Sequence, residues 1–358
     1  MKVITIVGTR PELIRLSIII PKLDKLVDHV LVHTGQNYDY ELNQIFFKQL
    51  KIRNPNYYLN AKGTFSEQIS IMFPKIEKIF INEKPDRVLI LGDTNSSLCS
   101  IVAKRLQIPV FHMEAGNRSF DERMPEEVNR RIIDNTSSIQ LPYSNSSMQN
   151  LLLEGFSKNK IYLTGNPIYE VLEKNKKMIQ NSKILQSLKL KKNKYILITI
   201  HREENLDIKE NFQNLISALN EISNNENIKI IWPIHPRSKI KIKKNNIKLN
   251  PLIKIIKPLG FFDFIKLEKN SFCVMTDSGT VQEECSIMSI PYLVLRSTTE
   301  RPEALEKGSG ILSGLLKDNI ITSFKILSSL NKKNDPPLDY VSPNNSDVVI
   351  KILVGNNK

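Results

Sequence analysis

Short apolar runs alternate with amphipathic segments along most of the chain, and a polar cluster follows most of the runs. Near-continuous apolar runs are typical of parallel strands that are covered on both faces. The segments predicted as strands are 2–8, 29–33, 87–91, 108–111, 139–143, 161–164, 195–200, 228–233, 253–256, 272–276 and 290–295. Helices are predicted over 10–25, 39–50, 65–82, 126–135, 145–154, 208–222, from 281, and over 303–308, 316–329 and 346–353. This alternation predicts an α/β fold with parallel sheets.

The alternation runs twice, in two halves that are joined by the polar, charge-rich segment 174–194. A length of 358 residues also indicates about two domains, at ~150 residues each. We predict two Rossmann-like domains, 1–166 and 167–345, whose polar strand ends face each other across a cleft. The last segment, 346–358, is predicted to be a helix that packs back on the first domain.

Composition excludes several classes of protein. Hydrophobic residues make up 41% of the chain, yet no apolar run approaches the ~18 residues of a membrane span, so no membrane insertion is expected. The first residues are predicted to form a strand and lack the pattern of a signal peptide. Cys99, Cys273 and Cys285 lie in apolar segments without metal-ligand spacing, which indicates reduced thiols, a cytoplasmic protein and no metal site.

The formal net charge of +14 raises the question of nucleic-acid binding. Most of the basic residues are lysines in stretches such as 189–194 and 239–244, where they alternate with Asn and Ile. No DNA- or RNA-binding motif accompanies them, so no nucleic-acid partner is expected. An excess of positive charge would also suit an anionic substrate.

The densest cluster of charge lies in residues 110–134, between a predicted buried strand and a helix that begins near Pro125. Its charged side chains are Glu114, Arg118, Asp121, Arg123, Glu126 and Glu127. Charges packed this densely at a strand end are costly to desolvate unless they serve a function. Ligands of open α/β sheets bind at the carboxyl ends of the strands, so we predict the floor of an active site here. The alternative is a solvated loop with surface ion pairs.

Two further strand ends in the first half carry candidate residues. The unit Gly8–Glu12 leads from a strand into a helix whose backbone N–H groups can bind an anion, and Arg10 can add a charge. Asp93 follows the strand 87–91, where it is a candidate catalytic carboxylate beside Glu114. A helix-capping role would explain Asp93 equally well.

In the second half, Ser278 and Gly279 begin a predicted helix and can hold a phosphate through backbone N–H groups. Glu284, one turn further on, can reach ribose hydroxyls. His201 and His235 lie at strand ends without metal-type partners nearby, so each is either a structural residue or part of the site. The Gly-x-Gly-x-x-Gly and P-loop patterns are absent, and no nicotinamide cofactor is expected.

A series of motifs carries a resemblance over nearly the whole chain, from Met1 to about Gly314. They are Gly8-Thr9-Arg10-Pro11-Glu12, Gly92-Asp93-Thr94, His112-Met113-Glu114-Ala115-Gly116, Pro125-Glu126-Glu127-x-Asn129-Arg130, His201-Arg202-Glu203, Thr276-Asp277-Ser278-Gly279 with Gln282-Glu283-Glu284, and Thr299-Glu300-Arg301-Pro302-Glu303. Each motif alone is weak, but their occurrence in this order is specific. The chain resembles the non-hydrolysing UDP-N-acetylglucosamine 2-epimerases.

The resemblance implies two Rossmann-like domains of the glycosyltransferase-B type, a UDP-sugar substrate, no cofactor, no metal and a homodimer. It implies inversion of carbon 2 of a UDP-linked 2-acetamido sugar, by elimination and re-addition of UDP through a 2-acetamidoglycal. The catalytic residues carried over are Asp93, Glu114, Glu126 and His201. The substrate-binding residues carried over are Arg10, Arg15, Arg118, His235, Phe261, Ser278, Gly279, Glu284 and Arg301, with the uracil against Phe261-Phe262.

Two departures from the glucosamine enzymes bear on the substrate. Arg15 stands where those enzymes have a Lys, and the segment 34–42 replaces a Gln-His stretch that helps them bind a second, activating substrate molecule. Both departures resemble the capsule and O-antigen branch, which converts UDP-2-acetamido-2,6-dideoxy-L-talose into UDP-N-acetyl-L-fucosamine. The alternatives are a UDP-N-acetylglucosamine 2-epimerase, a glycosyltransferase of similar fold, and a binding module without activity.

Overall fold

A computed structural model describes residues 1–36, 40–234, 242, 247–330 and 334–355 of the chain. The chain divides into two compact units. The first consists of Met1–Lys174 and the C-terminal segment that starts at Leu338, and the second is Asn175–Pro337. The structure thus assigns 167–174 and 338–345 to the first unit, whereas the sequence prediction assigned them to the second domain. Burial explains the assignment, since Ile168 and Val171 are fully buried on a helix that packs against first-unit helices.

The first unit contains a six-stranded parallel sheet with the strand order β3-β2-β1-β4-β5-β6. Its strands are β1 (Lys2–Val7), β2 (Asp28–His33), β3 (Tyr57–Tyr58), β4 (Arg87–Leu91), β5 (Val110–Met113) and β6 (Ile139–Leu141). The order reverses between β1 and β4, which is the topological switch point of a Rossmann sheet. Ligands of such sheets bind outside the carboxyl ends of the strands at this point.

Helices cover the first sheet, and the burial of the central strands follows from this cover. All five residues of β4 are buried, as the continuous apolar run predicts for a parallel strand. The helices of the first unit are Arg10–Leu16, Ile19–Leu26, Tyr40–Leu50, Phe65–Glu83, Cys99–Arg105, Pro125–Thr136, Asn145–Leu153, Pro167–Lys174 and Asn345–Gly355. The last of these packs against Ile19–Leu26 and Pro167–Lys174.

The second unit repeats the same topology, with the strand order β12-β11-β10-β7-β8-β9. Its parallel strands are β7 (Tyr195–Thr199), β8 (Lys229–Pro233), β9 (Ile253–Ile256), β10 (Cys273–Thr276), β11 (Tyr292–Val294) and β12 (Gly310–Leu312). The switch point lies between β7 and β10. The helices are Lys176–Asn181, Ile184–Ser187, Glu203–Leu206, Lys209–Asn225, Phe261–Asn270, Gly279–Ile287, Pro302–Glu306 and Lys317–Ser329. The predicted class of two Rossmann-like α/β domains is confirmed.

Prolines account for several differences from the predicted elements. The helix predicted over 10–25 is two helices, because Pro21 has no N–H group to donate to the carbonyl of Ser17. The strand predicted from 108 begins at 110, after Pro109, and the strand predicted from 290 begins at 292, after Pro291. Proline cannot donate to a strand ladder, so the regular pairing begins after it.

Three predictions failed for other reasons. The strand predicted over 161–164 is wrong, since its named pairing is a single bridge between Gln140 and Ile161. The short edge strands β3 and β12 were missed, because two or three residues give no measurable periodicity. The helix Phe261–Asn270 was also missed, although Gly260 at its N-terminus gave a usable signal.

No helix among the described residues is long and apolar enough to cross a membrane.

Candidate active site

The switch point of the first sheet brings the loops after β1 and β4 into contact. Gly8 follows β1, and a Cβ atom on it would lie 1.9 Å from the Ser96 hydroxyl oxygen and 2.2 Å from that of Thr34. Only glycine fits there. The N–H groups at the start of helix Arg10–Leu16 therefore lie at the edge where the sequence predicted an anion site, and Arg10 is in the first turn of that helix.

Glu12 holds these two loops together, and the sequence analysis did not select it. Its Oε2 accepts hydrogen bonds from the N–H groups of Gly8 (2.7 Å) and Thr9 (2.6 Å), and its Oε1 accepts one from the Thr94 hydroxyl (2.7 Å). Burial raises the pKa of Glu12 to about 7, and the hydrogen bonds from Thr94, Gly8 and Thr9 limit the rise. The capping box formed by Thr9 and Glu12 was a usable signal for this role.

Arg15 and Glu114 form a buried ion pair at the same edge of the sheet. The Arg15 guanidinium also lies over the ring of Tyr143, 5.9 Å from its centroid. Glu114 follows β5 with a φ of +68°, a left-handed conformation that is costly for a residue with a side chain. A backbone held in this state at a sheet edge is typical of a functional position.

A buried network supports the loop that carries Glu114. The His112 ring bonds to Asp134 (2.8 Å) through Nδ1 and to the carbonyl oxygen of Gly92 (3.1 Å) through Nε2. Arg118 donates to Asp134 (2.7 Å) and to both carboxylate oxygens of Glu154. The Arg118 side chain is fully buried by these contacts, so it supports the loop. Its predicted contact with a substrate stays a prediction.

Asp93 and Glu126 reach the same edge from β4 and from helix Pro125–Thr136. Asp93 is one-fifth exposed, and its Oδ2 lies 2.6 Å from Nη2 of Arg130. Arg130 also pairs with the buried Glu127, so it is not the surface partner of Glu126 that the i, i+4 spacing indicated. Glu126 is half-buried in the first turn of the helix that carries Arg130.

The three predicted catalytic carboxylates therefore share one sheet edge. Asp93 and Glu114 follow adjacent strands, and a Cβ on Gly92 would lie 3.8 Å from Oε2 of Glu114. Arg130 links the helix of Glu126 to Asp93. Arg10 lies at the neighbouring helix start, with its guanidinium 5.9 Å from the centroid of the Phe46 ring.

In the second unit, Asp277 organises the switch point between β7 and β10. Its Oδ2 accepts hydrogen bonds from the N–H groups of His201 and Arg202 (2.9 Å each) and from the Asn205 amide (3.0 Å). Its Oδ1 lies 3.0 Å from Nδ1 of His201, whose side chain is 47% exposed. Asp277 thus orients His201 and leaves part of the imidazole open to solvent. The sequence analysis quoted Asp277 in a motif without giving it a role.

Ser278 and Gly279 begin helix Gly279–Ile287 immediately after β10. A Cβ on Gly279 would lie 2.7 Å from Oε1 of Glu300, so glycine is required there. Glu300 is buried and pairs with Arg296 (2.8 Å). Arg301 is buried against Glu283, and its guanidinium lies beside Gly279. The predicted phosphate-binding residues Ser278, Gly279 and Arg301 therefore lie together.

The other predicted residues of the second unit lie apart from this cluster or are not described. Glu284 is buried one turn along the same helix. Phe261 is only 2% exposed and packs at 60° to the ring of Phe262. It contributes to the core, and its contact with uracil stays a prediction. His235 and the loop residues 37–39 lie outside the described residues.

The described residues contain no group of three or more His, Cys, Asp or Glu side chains arranged to hold a metal ion.

Burial alone would raise the pKa of Asp277, but the His201 ring and the backbone N–H groups of Arg202 and His201 outweigh it and lower the pKa to about 2. A lowered pKa stabilises the fold above the usual value of 3.8, and this stabilisation is lost as the pH falls from about 4 towards 2. Replacing Asp277 with Asn should therefore cost about 2 kcal/mol of unfolding free energy at pH 7.

The measurement is urea unfolding of the wild type and of Asp277→Asn between pH 7 and pH 3. The difference between the two proteins should shrink below pH 4. Asp263→Asn serves as a control on an exposed-side carboxylate of the same unit, for which no loss of this size is expected. A difference that stays constant over the whole pH range would contradict the assignment.

Comparison with known proteins places these geometries in a family. The family model for UDP-N-acetylglucosamine 2-epimerase matches residues 22–354. The chain is 41% identical to the UDP-N-acetylglucosamine 2-epimerase of Methanocaldococcus jannaschii, over 99% of both chains. It is 34% identical to a UDP-2,3-diacetamido-2,3-dideoxy-D-glucuronate 2-epimerase of Pseudomonas aeruginosa, over 93% of both chains.

A crystal structure of the Methanocaldococcus jannaschii enzyme in complex with UDP-GlcNAc and UDP has the same fold. It superposes with a TM-score of 0.94 at 39% identity, and the match covers 99% of this chain and 100% of that one. The fold, the order of the motifs and these identities agree. The chain belongs to the UDP-N-acetylglucosamine 2-epimerase family, whose enzymes are isomerases.

Proposed function

We propose that the protein inverts carbon 2 of a UDP-linked 2-acetamido sugar. The observation that carries the proposal is the convergence of Asp93, Glu114 and Glu126 at the switch point of the first sheet, where Arg130 and Arg15 hold the first two carboxylates. Carboxylates held in place by guanidiniums are suited to removing and returning a proton. A structural role alone would not require three of them at the edge where ligands of this fold bind.

The chemistry explains why carboxylates and cations are both needed. Carbon 2 has no adjacent carbonyl group, so its proton cannot be removed by simple enolisation. In the proposed route a carboxylate takes that proton, the electron pair forms the C1=C2 double bond, and the C1–O bond breaks as UDP leaves. UDP then adds back to C1 while C2 receives a proton on its other face, which inverts the configuration.

In the proposed route the second unit holds the departing UDP. The N–H groups at the start of helix Gly279–Ile287 and the guanidinium of Arg301 can stabilise the diphosphate as its charge develops. We assign the ribose hydroxyls to Glu284. His201, oriented by Asp277, is the exposed imidazole of this edge and is assigned a proton-transfer or phosphate-binding role.

We further propose that the substrate pair is UDP-2-acetamido-2,6-dideoxy-L-talose and UDP-N-acetyl-L-fucosamine, in surface polysaccharide biosynthesis. Arg15 supports this choice, because its guanidinium engages the catalytic Glu114 as a permanent cation, whereas a lysine could give up a proton. The second candidate is UDP-N-acetylglucosamine. It is favoured by the relative from Methanocaldococcus jannaschii, which is named for that substrate.

Incubation with each UDP-sugar in deuterated water tests the reaction itself. We expect deuterium at carbon 2 together with the inverted configuration, followed by NMR. A glycosyltransferase would transfer the sugar to an acceptor, and a binding module would leave the sugar unchanged. Either of these results would overturn the proposal.

Single replacements test the three carboxylates. Asp93→Asn, Glu114→Gln and Glu126→Gln should each lower kcat by ~10²-fold or more, the usual scale for general acid–base groups. UDP binding should survive, since each change keeps the shape of the side chain. The measurement is the initial rate at saturating substrate, with the UDP dissociation constant taken in parallel.

Glu122→Gln is the matched control, because Glu122 is exposed in the same charged segment and should be replaceable at no cost. Near-native rates for all three site variants would show that the reaction occurs elsewhere.

Initial-rate curves test the substrate and the regulation. We expect hyperbolic curves and a higher kcat/KM for the 6-deoxy-L-talo/L-fuco pair than for the glucosamine/mannosamine pair. The segment Gln36–Tyr40 offers a carboxylate and aromatic rings in place of the Gln-His stretch, and a carboxylate would oppose a second anionic UDP-sugar. Marked sigmoidality, or a higher kcat/KM for UDP-N-acetylglucosamine, would refute this assignment while leaving the epimerase reaction intact.

A further inference from the structure

A second carboxyl group lies directly behind Glu284. Glu268 belongs to helix Phe261–Asn270 and is fully buried. Its Oε1 is 3.1 Å from the Sγ of Cys285, which donates to it, and its carboxyl shares a hydrogen bond with the carboxyl of Glu284. Glu268 therefore touches the residue to which we assign the nucleotide ribose, from the core side of that residue.

The contact between the two carboxyl groups requires a proton. Ionised carboxylates are acceptors only, so a hydrogen bond between Glu268 and Glu284 forms only when one of them is protonated. Within the described part of the chain, no N–H or O–H group donates to Oε2 of Glu268. Burial raises the pKa of Glu268 to about 8, and the hydrogen bonds from Cys285 and Glu284 only partly offset this. At neutral pH Glu268 is therefore the neutral member of the pair.

We propose that Glu268 is a positioning residue that acts as a neutral carboxylic acid and donates a hydrogen bond to the carboxylate of Glu284, which it fixes for the ribose hydroxyls of the nucleotide. This inference rests on the proposed function. A carboxylate that is already oriented loses less conformational freedom when it binds a diol. The neutral donor also lets Glu284 keep its charge at a nearly buried position.

A purely structural role for Glu268 makes the opposite prediction. A buried polar group can usually be replaced by an apolar side chain of similar size at little cost, or with a gain in stability. Methionine at position 268 would then be harmless to ligand binding. A positioning role predicts that methionine weakens the binding of ligands that carry ribose hydroxyls, whereas glutamine keeps it, because its amide can donate to Glu284 and its oxygen can accept from Cys285.

The test compares UDP with 2′,3′-dideoxy-UDP, which lacks both ribose hydroxyls, in titration calorimetry at pH 7. The wild type should bind UDP more tightly than the dideoxy ligand. Glu268→Met should weaken UDP binding by about tenfold, the size of one hydrogen bond to a charged group, and leave dideoxy-UDP binding unchanged. Glu268→Gln should keep the wild-type ratio of the two affinities. Glu284→Gln should reduce that ratio as Glu268→Met does.

The outcomes separate this inference from the proposed function. Failure of the wild type to bind UDP would remove the proposed function and this inference with it. UDP binding that depends on Glu284 but is unaffected by Glu268→Met would overturn the inference alone. A loss in Glu268→Gln equal to that in Glu268→Met would show that Glu268 does not act as a hydrogen-bond donor.

The pH dependence gives a second measurement that does not need the methionine variant to fold. The titratable groups that face the Glu268 carboxyl are Cys285 and Glu284, and burial raises the pKa of Cys285 well above its usual value. Ionisation of Glu268 above pH 8 places two like charges together, so the ratio of UDP to dideoxy-UDP affinity should fall between pH 7 and pH 9 in the wild type. It should stay constant in Glu268→Gln, and a parallel fall there would contradict the inference.

Discussion

Ion pairs between arginines and buried carboxylates hold the carboxyl edges of both sheets together. Arg15 with Glu114 and Arg130 with Asp93 do so in the first unit, and Arg301 with Glu283 does so in the second. A carboxylate taken out of water costs several kcal/mol unless a partner compensates it. These pairs let the polar loops lie against the ends of apolar strands, which is the position that ligands of such sheets require.

The two switch points solve the same problem with different carboxylates. In the first sheet Glu12 accepts hydrogen bonds from the loops after β1 and β4, and in the second sheet Asp277 accepts them from the segment after β7. Glu12 meets no cation among the causes of its raised pKa, whereas the His201 ring helps to lower the pKa of Asp277. One edge is therefore built around a carboxyl that is readily protonated, and the other around a permanent carboxylate.

Glu268 extends this contrast below the surface of the second site. Its neighbours are a thiol and a carboxyl group, so burial keeps its proton in place. Protonated, it serves as a donor where the other buried carboxylates serve as acceptors. The same side-chain type thus takes three roles in one chain, namely the partner of a guanidinium, the cap of a helix start and the neutral donor, according to what surrounds it.

The sequence by itself determined the α/β class, the doubling of the Rossmann unit and the family, because apolar runs and ordered motifs are local in the chain. It also located the strand ends that carry Asp93, Glu114 and Ser278. Only the tertiary structure decided which charges are paired. Arg118 is buried between Asp134 and Glu154, Phe261 is part of the core, and Arg130 pairs with Asp93 across the edge of the sheet. Burial and pairing depend on residues far apart in sequence, which no local pattern reports, and desolvation then sets the protonation state of each carboxyl group.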